Sequence, residues 1–171
     1  MWTTDRLRYE PLGHTHAGAL VDALTDPLVG EYIGGPDVTT VAALHTRIDR
    51  LAQGPAAPDE RWWNFVALRS LDDVLVGRLE ATLYGDWAEI AYVFAPRHWG
   101  NGYATEGTRW LIGHLAAEGI TELWAAVLPQ NTRSIDLLLR VGFERRERPA
   151  RPLASFDDGD VVFSLGAGTA G

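Results

Sequence analysis

Apolar positions along the chain follow two rhythms, one of period two and one of period about 3.6, and the changes between them mark out the elements. Leu7-Arg8-Tyr9-Glu10-Pro11-Leu12 alternates and predicts a first strand. From His14 to Thr25 the apolar residues Ala17, Leu20, Val21 and Leu24 repeat at helical spacing, with Asp26-Pro27 as the expected stop. Val29 to Asp37, holding three glycines and a proline, reads as a loop. Thr39 or Thr40 is a suitable cap for a second helix through Val41, Leu44, Ile48 and Leu51 to about Ala52. Gln53 to Glu60 is an exposed connection. Trp62–Arg69 and Val74–Leu83 then predict two strands joined at Ser70–Asp73, and Gly85-Asp86 turns the chain into a strand over Ala88–Phe94.

After that strand the period lengthens. Tyr103, Gly107, Trp110, Leu111, His114 and Leu115 share one helical face, and Glu118-Gly119 ends it. Glu122–Leu128 is a continuous apolar run stopped by Pro129, the signature of a strand buried on both faces. Its connection to Ala88–Phe94 runs through a helix, so the two strands are expected to be parallel. Asn131 and Gly142 bracket a three-turn helix as cap and stop. Phe143–Arg148 and Asp160–Leu165 complete the sheet as a hairpin, and Gly166–Gly171 is expected to fray. The pattern predicts a mixed α+β domain over residues 1–165 and a flexible tail over 166–171.

Composition narrows the chemistry. The 171 residues suffice for one domain with a substantial core. A net charge of −8 argues against nucleic acid as the main partner and mildly favours a cationic small molecule or a basic peptide end. With no cysteine, disulfides, thiolate metal sites and a cysteine nucleophile are excluded, and the five histidines are too scattered for a metal site. Met1–Arg6 does not read as a signal peptide, and no apolar run approaches the roughly 20 residues that span a bilayer. A cytoplasmic enzyme without metal is the expectation, as monomer or homodimer and with no membrane partner.

One stretch carries specific chemistry: Arg97-His98-Trp99-Gly100-Asn101-Gly102-Tyr103-Ala104-Thr105-Glu106-Gly107, between the Ala88–Phe94 strand and the next helix. Strand, glycine turn and helix start together aim backbone N–H groups and the positive end of a helix dipole at one point, which suits a phosphate. A dinucleotide fingerprint would need glycine where Thr105 stands, and a Walker loop would need a lysine. What remains is Arg-x-x-Gly-x-Gly directly after a strand. This resembles motif A of the GNAT acyltransferases, the loop that holds the coenzyme A pyrophosphate. The longer string from Tyr92 through Pro96 to Gly107 is similar to the branch containing the ribosomal-protein alanine and serine N-acetyltransferases. About 30 residues on, Asn131-Thr132-Arg133-Ser134 with Gly142-Phe143 matches the family's second signature.

The resemblance implies transfer of an acetyl group from acetyl-CoA to a primary amine by direct attack, without a covalent enzyme intermediate. It implies a mostly antiparallel sheet of about six or seven strands with about four helices. The sheet would splay between the fourth and fifth strands, Ala88–Phe94 and Leu123–Leu128. Strand-edge amides of Val93, Phe94 and Ala95 would pair with the pantetheine arm, and an amide near Phe94 would polarise the thioester. Backbone N–H groups across His98, Gly100, Asn101, Gly102, Tyr103 and Ala104 would cradle the diphosphate, and Arg97 would add charge. Asn131 would bond the pantetheine arm, and Ser134 would stand near the departing sulfur.

Alkylamines are mostly protonated at pH 7, so a proton acceptor is needed. Glu89, on the strand beside the groove and facing the same way as Ala91 and Val93, is the first carboxylate to consider. Asp86, Glu31 and Asp37 are further options, as is water. The family's alternative glutamate, five residues before the capping asparagine, is Ala126 here. For the acceptor, Glu31, Tyr32, Trp63 and Tyr84, with Trp62, Asn64 and Trp87, supply aromatics and carboxylates able to box a cation. Plain core and sheet packing explains the aromatics as well. Two rival readings share the fold: an acyltransferase using another acyl-CoA or an acyl-carrier-protein donor, and a non-catalytic acyl-CoA binding module.

Overall fold

The alternating segments assemble into one eight-stranded sheet, seen in a computed structural model that describes residues 1–31 and 40–166. The strands are β1 (Trp2–Thr3), β2 (Leu7–Pro11), β3 (Glu60–Arg69), β4 (Leu75–Tyr84), β5 (Trp87–Phe94), β6 (Glu122–Val127), β7 (Glu144–Arg146) and β8 (Val161–Gly166). Their spatial order is β1-β2-β3-β4-β5-β6-β8-β7. All neighbours are antiparallel except β5 and β6, which are parallel, as a helical crossover requires. The eighth strand, β1, is too short to show alternation, although Trp2 and Thr3 pair with Tyr9 and Arg8.

Among the described residues, five α-helices accompany the sheet: α1 (Ala17–Leu24), α2 (Pro27–Gly30), α3 (Val41–Gln53), α4 (Tyr103–Ala117) and α5 (Thr132–Arg140). α2 is an addition to the expected four. Asp26-Pro27, which ends the preceding helix, also starts a new turn. The Asp26 carboxylate accepts from Leu28 N–H, and Pro27 sits at the first helical position, where its missing N–H costs nothing. Thr40 and Asn131 cap α3 and α5 through side-chain bonds to Ala43 and Ser134 N–H.

The sheet separates two large cores, with a smaller cluster of Trp87, Trp124 and Val162 beside them. On one face α4 places Leu111 and Leu115 against Leu79, Leu83, Ile90 and Phe94. On the other, α1 and α3 bring Leu20, Leu24, Leu44 and Ile48 onto Val66, Leu68 and Leu75. Two glycines let β4, β5 and α4 approach closely. A Cβ on Gly77 would meet the Val93 carbonyl oxygen at 2.6 Å, and one on Gly107 would meet the Phe94 ring at 3.1 Å.

Between β5 and β6 only Trp87–Glu89 pair with Glu122–Trp124. β5 continues to Phe94 bonded only to β4, and β6 continues to Val127 bonded only to β8. The sheet therefore opens at the expected place, from Ile90 and Ala125 onward.

Candidate functional site

The opening leads into a groove of about 490 Å³ lined mainly from three directions, with Val29 of α2 as a further contributor. β5 contributes Tyr92, Val93 and Phe94. The following turn and the start of α4 contribute His98, Trp99, Gly100, Gly102, Tyr103, Ala104 and Thr105. From α5 and its cap come Asn131, Arg133, Ser134, Asp136, Leu137 and Arg140.

The turn is built to present backbone donors. Gly100 and Gly102 both adopt φ 79°, a left-handed conformation that glycine enters without steric cost. Asn101 Nδ2 donates to the carbonyls of His98 (3.1 Å) and Trp99 (3.2 Å), and Trp99 Nε1 donates to the Phe94 carbonyl (2.7 Å). These bonds fold the carbonyls inward. Among the described residues, the N–H groups of Gly100, Asn101, Gly102, Tyr103, Ala104 and Thr105 have no intramolecular acceptor. The last three are the orphan donors that any helix start leaves. An N-terminal clasp steadies this end. Arg6 donates to the Asn101 carbonyl (2.8 Å) and pairs with Glu106 (2.7 Å), and the Thr4 hydroxyl donates to the same carboxylate (2.6 Å). Burial alone would raise the Glu106 pKa. The hydrogen bonds from Thr4 and Arg6 outweigh it and hold the carboxyl below its ordinary value.

Several expected contributors stand elsewhere. Ala95 is buried outside the groove, and its N–H is spent on the Val76 carbonyl (2.9 Å). The His98 N–H is likewise taken, by the Ala95 carbonyl (2.9 Å), so His98 offers the groove its ring and not its amide. Burial lowers the His98 pKa, and the Arg97 and Arg69 charges lower it further. Arg97 lies outside the groove lining, donating to the Asp22 carbonyl of α1 (3.3 Å) and to the His98 ring (3.3 Å). Asn101 lies outside the groove lining, its side chain committed to the turn and its carbonyl to Arg6, which leaves its N–H as the group it has to offer.

Asn131 and Ser134 line the groove together, joined by the cap bond from Ser134 N–H to Asn131 Oδ1 (3.1 Å). Glu89 lies at the closed end of the splay, 6% exposed and outside the groove lining. Its oxygens accept from the N–H groups of Ala154 (2.7 Å) and Ser155 (2.9 Å) and from the Ser155 hydroxyl. Trp63 packs with Phe65 and His114 on the α4 face. Tyr84 stacks on Trp87 at 4.4 Å, at the far end of the β4–β5 hairpin. Glu31 ends α2 exposed, two residues from the groove residue Val29. Tyr32 and Asp37 fall outside the described residues.

Sequence reasoning missed Tyr92, Arg133 and Arg140 as groove residues. Arg133 and Arg140 share a face of α5 with Leu137, at helical spacing, and that spacing was the available signal. Arg133 lies over the Trp99 ring at 4.6 Å. Tyr92 sits beside Ser134, its hydroxyl 2.9 Å from Ser134 Oγ. Among the described residues, no cluster of side chains is fit to hold a metal ion, and no helix is long and apolar enough to cross a membrane.

Known proteins match this architecture. YoaA of Bacillus subtilis, named an uncharacterized N-acetyltransferase, is 37% identical over 59 residues, 34% of this chain and 33% of its own length. The uncharacterized N-acetyltransferase p20 of Bacillus licheniformis is 26% identical over 83% of this chain and 81% of its own. The chain thus spans a third of the first of these relatives and most of the second. The ribosomal-protein-S5-alanine acetyltransferase of Vibrio fischeri shares the fold at TM-score 0.76 and 14% identity, covering 99% of this chain and 98% of that one. Spermidine N-acetyltransferase of Vibrio cholerae, solved with CoA and spermine, shares it at TM-score 0.76 and 16% identity, over 98% and 99%. The acetyltransferase (GNAT) domain itself matches residues 6–144, which include the whole glycine turn, the splay and α5. The chain belongs to the GNAT family of acetyltransferases.

Proposed function

We propose that the protein transfers an acetyl group from acetyl-CoA to a primary amine of a small molecule or a peptide end. The observation that carries this is the run of six unpartnered N–H groups from Gly100 to Thr105, opening into a groove that leads to the splay. Such donors at a helix start suit a diphosphate, and unpaired strand-edge donors suit an arm rich in amides. Acetyl-CoA supplies a thioester, and this chain supplies its holders. The amides of Gly100 to Thr105 take the diphosphate. The free β5 edge at Phe94, with Asn131, aligns the arm, while Val93 shares the β4-facing orientation of Ala95. Ser134 stands beside the sulfur.

The acceptor side is the other face of β5. Ala91, on a central strand, is exposed there, with Glu80, Asn64, Thr82 and Trp62 part-exposed beside it. An exposed alanine at mid-sheet marks a cleft open to a second substrate. Glu80 is joined to Arg47 (2.8 Å) and Arg78 (3.4 Å), so the cleft carries both signs of charge. The ammonium must lose a proton before attack. Glu89 faces this side but is reached through Ser155, so the proton passes to Glu89 once that hydroxyl moves aside, or to water over Ala91.

Thiol release from acetyl-CoA across a panel of polyamines, aminoglycosides and peptide amino termini tests the assignment. Amine-dependent release is expected, and calorimetry should show CoA binding. No release with any amine despite tight CoA binding would favour the non-catalytic reading. Binding of an acyl carrier protein but not of CoA would move the donor. Glu89→Gln should reduce turnover most at neutral pH; rates equal to wild type from pH 6 to 9 would take Glu89 out of the proton path.

A further inference from the structure

The hydroxyl pair across the splay does work that the family motif does not name. Tyr92 projects from β5 where that strand has lost β6, and Ser134 projects from the first turn of α5 on the opposite bank. Their oxygens are 2.9 Å apart, and Tyr92 Oη is also 3.3 Å from the Ser134 carbonyl oxygen. Both side chains line the groove. This is a side-chain bond bridging the two banks directly where they part.

A serine hydroxyl has one proton to give. If it donates to Tyr92, nothing is left for the groove. If Tyr92 donates to it, the serine proton is free to point at a ligand. The contact lengths favour the second arrangement, since Tyr92 Oη lies closer to Ser134 Oγ (2.9 Å) than to the Ser134 carbonyl (3.3 Å), and burial keeps the tyrosine proton in place to make it. The Tyr92 hydroxyl is pushed up to about 12, its bond to Ser134 offsetting only part of the burial effect, so it keeps its proton at any working pH. Among the described residues its donor capacity has two acceptors within reach, both on Ser134.

We infer that Tyr92 is a positioning residue for acyl transfer: its hydroxyl donates to Ser134 and turns the serine O–H toward the departing sulfur. The inference rests on the donor reading above. As the amine nitrogen bonds to the acyl carbon, the carbon–sulfur bond breaks and its electron pair stays on sulfur. The serine O–H hydrogen-bonds that thiolate without surrendering its proton, and the amine's proton leaves on the acceptor side. Tyr92 lines the groove beside Ser134 and packs against the core under α4, and its effect on the sulfur passes through the serine.

The thiol of CoA reports this without any acceptor. Affinities of CoA and of desulfo-CoA are measured by calorimetry from pH 7 to 10, for wild type, Tyr92→Phe, Ser134→Ala and the double variant. Desulfo-CoA cancels the titration of the other groups facing the groove, His98, Tyr103, Arg133, Asp136 and Arg140. A donor aimed at sulfur favours the thiolate, so in wild type CoA should gain on desulfo-CoA as pH rises, by about tenfold for one unit of thiol pKa. Tyr92→Phe should lose that gain as fully as Ser134→Ala, the double variant should lose no more, and Ser134→Thr should keep it.

A gain retained in Tyr92→Phe, or losses that add in the double variant, would overturn the inference. Weaker desulfo-CoA binding in Tyr92→Phe would also overturn it, by showing that the bridge merely holds α5. Wild type binding both ligands with no rising preference overturns this inference alone. Wild type binding neither removes the donor reading and this one with it.

Discussion

Single residues in the turn make the protein's response to pH calculable in sign. The His98 ring stands in the groove with its pKa below the ordinary value, through burial and the nearby Arg97 and Arg69 charges, so it is neutral at pH 7. A bound diphosphate would reverse that penalty and raise the pKa. A group raised on binding adds affinity at low pH that is lost as pH climbs through its bound value. CoA affinity should therefore fall as pH climbs through the bound value of His98, with part of the slope missing in His98→Gln, measured by calorimetry in buffers of different ionisation enthalpy. Glu106 works the other way, on stability. Its pKa is depressed in the fold, so its contribution is present above the unfolded value near 4.3–4.5 and is lost as pH falls through the folded one. The melting temperature of Glu106→Gln should lie below wild type at pH 7, and the gap should narrow below about pH 4. At this scale the sequence was only partly legible. Gly100, Gly102 and Asn131 could be placed because backbone conformation and capping are local. Arg97 and Ala95 could not, because only the packed turn shows the one reaching for the Asp22 carbonyl and the other's N–H committed to Val76.

Among elements, α4 is where site and core meet. Its first turn offers the free N–H groups, and one turn later Gly107 lets it lie on Phe94 and Leu79. Gly107→Val should force α4 off the sheet at a cost of about 1–3 kcal/mol in chemical denaturation, and should weaken CoA binding by tilting the amides. Gly113→Ala, on the same helix with open space around its Cβ position, should leave affinity unchanged. Element boundaries were readable from periodicity because each long element buries one face: β4, β5 and α4 all fall within a few residues of expectation. β1 and α2 escaped because two and four residues cannot display a period. Glu89 escaped for a different reason. Alternation gave its face, but the residues that bind its carboxylate, Ala154 and Ser155, lie 65 and 66 positions on, in a segment without periodicity.

For the whole molecule, the sheet divides into a five-stranded part ending at β5 and a three-stranded part beginning at β6, sharing three residue pairs. Saturation with CoA at about 100 times Kd should raise unfolding free energy by about 2.7 kcal/mol. Hydrogen exchange should show new protection concentrated at Tyr92–Phe94 on β5 and at Ala125–Val127 on β6. Protection spread evenly over the chain would speak against a ligand seated between those strands. The parting of β5 from β6 carries one last consequence. A seam left unsewn for half its length is where tension would tear the fold first, and the same seam is what the ligand's own amides would thread. Under a pulling force applied across it, the liganded molecule should hold longer than the bare one, with the cofactor as the stitching.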